Sequence, residues 1–460
     1  MEFVDRINEC NRLRKRLERT DETSFIVIYG RRRLGKSTLI RQVLTENDVY
    51  YMAERNESTV QMALLQHSIA GVYPTFTGMT FDSWESLLMH FNGICRWGTT
   101  LVLDEFPYLV KSSKSLPSTL QKLIDSKSLR FNLIICGSSQ RMMQRMILDA
   151  SEPLYGRAHE RMVLRPIAIN YWQDAFRLSA VQAIREYSVW GGVPRYWELR
   201  EHEDGFEEAL RQLVFDPNGV LYDEPSSLFL DEEGNCQLFA SIMTALGNGF
   251  CQFSNLASAV GRKTTELSVP LKQLGEMSYV IKEVPFGESE NKTKKTLYQI
   301  ADPFMEFYYK FIAPNKSLLA IGRSERVWTQ VESLMNDHVG KVWERMCRTA
   351  VSGNQLFGHD WLMAGRWWGK VLDEEGNPVQ MEFDVVAESS DHKYLLVGEC
   401  KWNKADYADR LLNELKRKTG LAPFVGKRKV VYVLFLREQP LTVEEDIHVM
   451  LPEEVVMLNR

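Results

Sequence analysis

Short apolar runs alternate with amphipathic stretches over the first third of the chain. Phe25-Ile26-Val27-Ile28-Tyr29 is uninterrupted and rich in β-branched residues, the composition of a strand buried on both faces. Similar runs occupy 99–103, 133–136 and 161–164. The first ends in Asp104-Glu105, the second in Gly137-Ser138-Ser139, and the third precedes Pro166. Residues 3–19 have the period of a basic amphipathic helix, and a further helix is expected over 36–45. Strands alternating with helices predict βαβ units and a mostly parallel sheet, an α/β core over 1–166.

The pattern then changes. Residues 167–235 read as a helical lid interrupted by Gly191-Gly192-Val193-Pro194. Over 236–302 the order is a helix at 237–247, a helix at 254–260, the turn Gly261-Arg262-Lys263, a helix at 264–276 and two strands, 279–285 and 296–300, around a charged tip. Helix, short turn, helix and hairpin predict a winged helix-turn-helix. A helical connector is expected at 303–332 and a last α/β domain at 333–460. There, Val339, Trp343, Met346, Cys347 and Ala350 form one apolar helical face. Strand-like runs follow at 361–368, 381–387 and 394–400, then a helix at 405–418 and an apolar strand at 430–436.

Composition narrows the classes. A chain of 460 residues, 44% apolar and 25% charged, is a multidomain globular protein. The net charge of −5 imposes no nucleic-acid partner, although a local basic patch still can. Seven cysteines without a CxxC pair argue against a disulfide framework or zinc site and fit a reducing cytosol. The polar N-terminus is no signal peptide, and no apolar run is long enough for a membrane span, so a cytoplasmic location is expected.

The chemistry begins at Gly30-Arg31-Arg32-Arg33-Leu34-Gly35-Lys36-Ser37, which satisfies GxxxxGK followed by Ser or Thr, between a buried strand and a helix start. Glycines let successive backbone N–H groups point at the phosphates of ATP, Lys36 adds a point charge, and Ser37 offers a hydroxyl to Mg²⁺. Thr38 completes the expected phosphate-binding stretch. The three arginines at 31–33 either shield phosphates, contact nucleic acid or form a solvated loop. Asp104, at the end of a second buried strand, is expected to hold Mg²⁺ through water, and Glu105 to polarise the attacking water. Ser138 and Ser139 end a third strand, where a polar side chain can orient that water near the γ-phosphate.

These motifs, with PLYGR at 153–157 and GGVPRY at 191–196, resemble the archaeal-type ATPase family of the AAA+/STAND class over about residues 1–300. The resemblance implies ATP hydrolysis. It also implies that Phe3-Val4-Asp5-Arg6 lies beside the adenine, that Arg157 is an arginine finger acting on a neighbouring copy's nucleotide, and that Pro194 touches the nucleotide from the lid. A homo-oligomer would follow. The competing readings are that Arg157 pairs with a carboxylate and that Gly192-Val193-Pro194 merely ends a helix.

In the expected winged helix, Arg262, Lys263 and Lys272 lie on or near the recognition helix, and Lys292, Lys294 and Lys295 crowd the wing tip. Such lysines neutralise DNA phosphates, though Glu266, Glu276, Glu288 and Glu290 dilute the charge. In the last domain Glu344 sits on the amphipathic helix, Asp384 in the strand MEFDVV, and Glu399 and Lys401 two apart on the next strand, hence on one face. Asp384 and Glu399 are candidate Mg²⁺ ligands, and Lys401 is a candidate to orient or deprotonate a water for phosphodiester hydrolysis. This order of elements resembles the restriction-endonuclease-like PD-(D/E)xK fold, with Phe383 in place of the motif's proline. More closely, 333–460 resembles the uncharacterised domain fused to archaeal-type ATPases. The sequence thus predicts an ATPase that couples nucleotide state to a metal-dependent nuclease acting on DNA. One alternative is an ATP-dependent switch whose winged helix binds DNA or a protein partner and whose last domain is an inert binding module; a third is a toxin-like or defence protein whose nuclease is released by a trigger.

Overall fold

A computed structural model describes residues 3–19, 21–229, 236–290, 293, 295–403, 408–440 and 447–459. The chain divides into two compact units. One holds Asp5–Pro166 together with Val193–Arg195, and the other holds Ile167–Gly192 and the described residues from Tyr196 onward.

The first unit is built on a parallel five-stranded sheet. Its strands are β1 (Phe25–Tyr29), β2 (Val49–Met52), β3 (Thr99–Asp104), β4 (Phe131–Gly137) and β5 (Glu160–Val163), in the spatial order β2-β3-β4-β1-β5. All residues of β1, β3 and β4 are buried, as their unbroken apolar runs require. Each fully buried Ile or Val of β1 contributes about 1.5–3 kcal/mol by the usual area relation. Helices Ser58–Val72, Trp84–Ile94 and Leu116–Asp125 supply Leu65, Leu87, Phe91 and Leu120 to the same core as β1, β3 and β4. The order places β4 between the P-loop strand β1 and the acidic strand β3, so the three C-terminal ends open on one crevice. Edge strand β2 is not anticipated by the sequence pattern. The expected helix over 36–45 is shorter, Lys36–Arg41.

In the second unit, helices Cys236–Gly247, Phe253–Val260 and Thr264–Glu276 precede an antiparallel hairpin of β6 (Val280–Glu283) and β7 (Leu297–Ile300). Tyr298 N donates to Cys251 O at 2.8 Å, and Gln252 bridges Leu297, so a short extended segment before the second helix joins the hairpin. The boundary expected at 332/333 falls inside one continuous helix, Ser324–Val351. A half-buried ion pair, Arg345 to Glu306 at 2.6 Å, ties that helix to the preceding helix Pro303–Phe307.

After that helix, a small hairpin of β8 (Gln355–Leu356) and β9 (His359–Asp360) leads to a mixed sheet. Its strands are β10 (Gly365–Leu372), β11 (Pro378–Glu388), β12 (Tyr394–Lys401), β13 (Lys429–Leu436) and β14 (Ile447–Met450), in sequential order. β11 is antiparallel to β10 and β12, whereas β12, β13 and β14 are parallel. The strand expected at 361–368 starts later, because Trp361 makes only an isolated bridge to Ser389. Helix Ala408–Leu421 covers one face through Leu411, Leu412 and Leu415, packed with Leu395, Val397 and Leu434. Helix Ser324–Val351 packs on β11 and β12. All seven cysteines are free thiols. Among the described residues no helix is long and apolar enough to cross a membrane.

Candidate functional site

The P-loop follows β1 directly. Gly30 has no room for a side chain, since a Cβ there would lie 2.7 Å from Leu164 O. Gly35 has φ +80, a left-handed conformation natural to glycine, and it starts the helix Lys36–Arg41. A Cβ built on Gly35 would lie 4.0 Å from Pro194 Cγ, so Pro194 sits against the loop. Lys36 is buried, and its Nζ donates to Gly30 O at 2.8 Å and Arg31 O at 3.0 Å. These two carbonyls hold the ammonium inside the loop. Leu34 is buried, and Thr38 is exposed.

The three arginines have different environments. Arg31 is 4% exposed, which removes both a solvated-loop and a nucleic-acid role for that side chain. Arg32 Nη2 donates to Tyr108 Oη at 3.2 Å. Arg33 adopts φ 68 within the turn. Arg6 braces the loop from outside: its guanidinium donates to Arg165 O at 2.5 Å and Leu34 O at 3.5 Å.

Asp104 ends β3 almost fully buried. Its Oδ2 accepts from Ser37 Oγ at 2.6 Å and from the Tyr50 hydroxyl, while Oδ1 accepts from Glu105 N at 2.8 Å. Ser37 and Asp104 are thus adjacent hard-oxygen donors at the mouth of the loop. They fit a Mg²⁺ site of the usual kind, in which one or two protein ligands are completed by water and phosphate oxygens. Tyr50, on the unanticipated strand β2, is the residue sequence reasoning missed. Burial, then the charge of Asp104, pushes its phenol above the ordinary value, so it remains a donor. Arg41 lies over its ring at 4.8 Å.

Glu105 has φ 50, unusual for a residue with a side chain, and strain of this kind concentrates at functional sites. Its Oε2 accepts from Ser138 Oγ at 2.8 Å and from Ser138 N at 3.3 Å. Ser138 and Ser139 are both buried. The structure thereby joins the ends of β1, β3 and β4 through Lys36, Ser37, Asp104, Glu105 and Ser138. Arg157 lies apart from this group. It forms a two-pronged pair with Asp125 at 2.7 and 2.8 Å and also donates to Pro153 O and Tyr155 O. This is the carboxylate pairing that competes with a finger role, and an arginine reaching a neighbouring nucleotide must first leave it.

In the C-terminal sheet, Lys401 Nζ lies 2.8 Å from Glu399 Oε1, confirming that the two share a face. Lys418, on helix Ala408–Leu421, approaches Glu399 Oε2 at 3.4 Å. Asp384 Oδ2 accepts from Cys400 N at 2.9 Å. Burial first, then the charges of Glu344 and Glu399, pushes the Asp384 carboxyl above the usual range. Burial likewise raises Glu344, against the pull of Arg348 and Arg366. Burial opposes the Lys401 ammonium, but Glu399 more than compensates and its pKa is raised. The pairing with Glu399 thus favours the charged form of Lys401. Among the described residues no group of three or more His, Cys, Asp or Glu side chains converges to hold a metal. Asp384 and Glu399 would supply two ligands at most.

Lys418 and Arg348 complete this neighbourhood. Arg348 is buried, donates to Asp384 O at 2.9 Å and lies 3.6 Å from Glu283 on β6. Its position four residues after Glu344 on one helix was the available sequence signal. On the helical segment before the hairpin, Arg262 and Lys263 are exposed. Lys295 pairs with Glu288 at 2.7 Å, whereas Lys272 has only an exposed contact of 3.8 Å with Glu276, which holds weakly in water. Lys292 and Lys294 lie outside the described residues.

Comparison with known proteins fits this layout. Residues 3–197 match the family described as an ATPase domain predominantly from Archaea, and 308–415 match a family described as archaeal and bacterial proteins of unknown function. An uncharacterised protein of Methanocaldococcus jannaschii is 28% identical over 428 residues, spanning 91% of this chain and 92% of that one. A Walker-type ATPase of Pyrococcus abyssi is similar in fold, covering 67% of this chain and 96% of its own at 19% identity and a TM-score of 0.51. The ORC2 protein of Aeropyrum pernix covers 70% of this chain and 97% of its own at 14% identity and a TM-score of 0.45.

Proposed function

We propose, from the premise that the chain joins an archaeal-type ATPase domain to a C-terminal domain of a family of unknown function, that it binds and hydrolyses ATP and uses nucleotide state to control a DNA-acting, metal-dependent nuclease-like domain. The observation that carries the ATPase half is the junction of Lys36, Ser37, Asp104, Glu105 and Ser138 at the ends of three adjacent strands. Lys36 and the loop N–H groups would hold the phosphates, with Arg31, Arg32, Arg33, Leu34 and Thr38 shaping the loop and Pro194 closing against it. Ser37 and Asp104 would hold Mg²⁺, whose charge neutralises the phosphate oxygens when bound. Glu105, steadied by Ser138, would take the proton of the attacking water.

For the C-terminal domain, support comes from the mixed sheet in sequential order and from the charge balance around Asp384. A carboxyl raised first by burial and then by the charges of Glu344 and Glu399, as Asp384 is, gains when a divalent cation enters beside it. Asp384 and Glu399 would hold it, Glu344 would support from the helix, and Lys401 would orient the water. The helices and hairpin of 236–300 would act as a winged helix, with Arg262 and Lys263 meeting DNA phosphates. Arg157 would serve a neighbouring copy in a homo-oligomer after leaving Asp125. A cytoplasmic setting accords with the seven free thiols.

One observation favours the inert-module reading. Both oxygens of Glu399 already face ammonium groups, Lys401 and Lys418, and a cation must displace at least one of them. The deciding experiment is incubation of the purified protein with DNA and Mg²⁺ or Mn²⁺, with and without ATP. Cleavage lost in Asp384→Ala supports the nuclease. DNA binding without cleavage under every condition supports the switch.

A further inference from the structure

At the far end of the C-terminal sheet, two turns converge on an open pocket of about 590 Å³. One turn precedes β12 and the other precedes β13. These strands are parallel neighbours, with Tyr394 beside Lys429, and Lys429 N donates to Lys393 O at 2.9 Å. The pocket lies away from the acid cluster. β12 runs from Tyr394 to Lys401, and at about 3.3 Å per residue that is roughly 20 Å.

The charge of this pocket is unusual for the chain. Lys393, Lys427, Arg428 and Lys429 line it against a single carboxylate, Glu388, whereas the whole chain carries −5. That carboxylate is already committed. Arg428 Nη1 meets Glu388 Oε1 at 2.6 Å, and His392 Nδ1 meets Oε2 at 3.0 Å. Arg428 also donates to Val425 O at 3.1 Å and to Phe424 O, which fixes the 425–428 turn. Arg428 is thus a brace and not a free cation. Lys427 and Lys429 are exposed and have no carboxylate partner among the described residues. Lys393 has only an exposed contact of 3.7 Å with Asp391, a geometry that holds weakly in water.

Three ammonium groups thus face a space within the usual range for ligand clefts, about 300–1,000 Å³, on a turn held rigid from below. We propose that this pocket binds phosphate-bearing anions, at a site separate from both the P-loop and the Asp384 cluster. A hard, multiply charged oxyanion is the ligand class that repays bringing three lysines together when only Lys393 has a carboxylate beside it, the exposed Asp391. The phosphate can belong to a nucleic-acid strand or to a small phosphorylated molecule, and the two sources separate by experiment.

The test compares the full-length protein with the double variant Lys427→Glu, Lys429→Glu. Anisotropy of labelled single- and double-stranded DNA is followed over a series of salt concentrations, and inorganic phosphate and pyrophosphate binding by calorimetry. An unchanged melting transition serves as the control for folding of the C-terminal sheet, together with ATP binding for the P-loop, which belongs to the other compact unit. If a strand is the ligand, the variant binds DNA at least about tenfold more weakly at low salt, and the slope of log affinity against log salt falls by about 1–2, as loss of one or two phosphate contacts requires. If a small phosphorylated molecule is the ligand, DNA binding is unchanged but the additional phosphate or pyrophosphate site of the wild type is lost. Should either control fail, Lys427→Gln, Lys429→Gln repeats the comparison without charge reversal. Unchanged binding of all these anions in a variant that passes both controls overturns the proposal, as does a wild type that binds none of them outside the P-loop.

Discussion

Replacing Glu105 by glutamine changes one atom at the point where the proposed water is activated. The side chain sits at φ 50 with Oε2 accepting from Ser138 Oγ at 2.8 Å and Ser138 N at 3.3 Å. A glutamine oxygen can accept both bonds, so the turn and the β3–β4 junction persist and folding is little altered. The amide cannot take a proton. Loss of a positioned general base costs about 10²–10⁴-fold in rate, equivalent to about 2.7–5.4 kcal/mol at 1.36 kcal/mol per tenfold. Nucleotide affinity stays close to wild type, because Lys36, Ser37 and the loop backbone are untouched. Steady-state phosphate release and labelled-ATP binding, measured on the same preparation, separate the two effects. Wild-type turnover in Glu105→Gln would show that another group activates the water. Parallel loss of binding and turnover would instead show that Glu105 supports the fold of the loop.

Tyr50→Phe removes a hydroxyl bond to Asp104 Oδ2; bonds to charged groups are worth about 1.5–3 kcal/mol, so the Mg²⁺ concentration needed for nucleotide binding should rise about tenfold or more while binding in EDTA is unchanged. Equal loss with and without Mg²⁺ would assign Tyr50 to the core alone. Arg157→Ala should reduce kcat more than nucleotide affinity if copies share sites, and mixing it with Lys36→Ala should restore part of the activity; a monomer with unchanged kcat would leave Arg157 as the structural partner of Asp125. Asp384→Ala, Glu399→Ala and Lys401→Ala should each abolish metal-dependent DNA cleavage and spare ATP hydrolysis, with Glu344→Ala weaker. Because the Asp384 carboxyl is raised by burial and by its acidic neighbours, its charged form costs stability as pH rises above the ordinary carboxylate range. Without divalent metal, Asp384→Asn should therefore stabilise the fold at neutral pH, by on the order of 1 kcal/mol per pKa unit relieved, seen as a higher Tm, and cleavage by the wild type should fall as pH is lowered and the carboxyl protonates. An unchanged Tm would mean that the neighbouring charges are screened.

The parts of the fold carried by unbroken apolar runs were legible in the sequence. β1, β3 and β4 follow from composition alone because strands covered on both faces tolerate little else. β2 was not legible, since Val49-Tyr50-Tyr51-Met52 is short and its exposure alternates at an edge, and Tyr50 was lost with it. The helix Ser324–Val351 crosses an expected domain boundary because its apolar face continues through the connector. In the site, the positions of Lys36, Ser37, Asp104 and Glu105 followed from motif spacing. The Glu105–Ser138 bond did not, because it depends on β4 lying between β1 and β3. The three arginines at 31–33 look alike in sequence, and only packing sends Arg31 inward. In the last domain the pairing of Glu399 with Lys401 was predictable from strand alternation, whereas Lys418 and Arg348 reach the same neighbourhood from helices.

The central claim, that the P-loop and its acidic strand form a working ATPase site, is tested most directly by measuring ATP binding and Mg²⁺-dependent phosphate release with wild type and Lys36→Ala. The wild type is expected to bind and hydrolyse ATP. The variant loses the ammonium now held by Gly30 O and Arg31 O and is expected to do neither. Wild-type affinity and turnover in a folded Lys36→Ala protein would contradict the account, as would a wild type that binds no nucleotide at all.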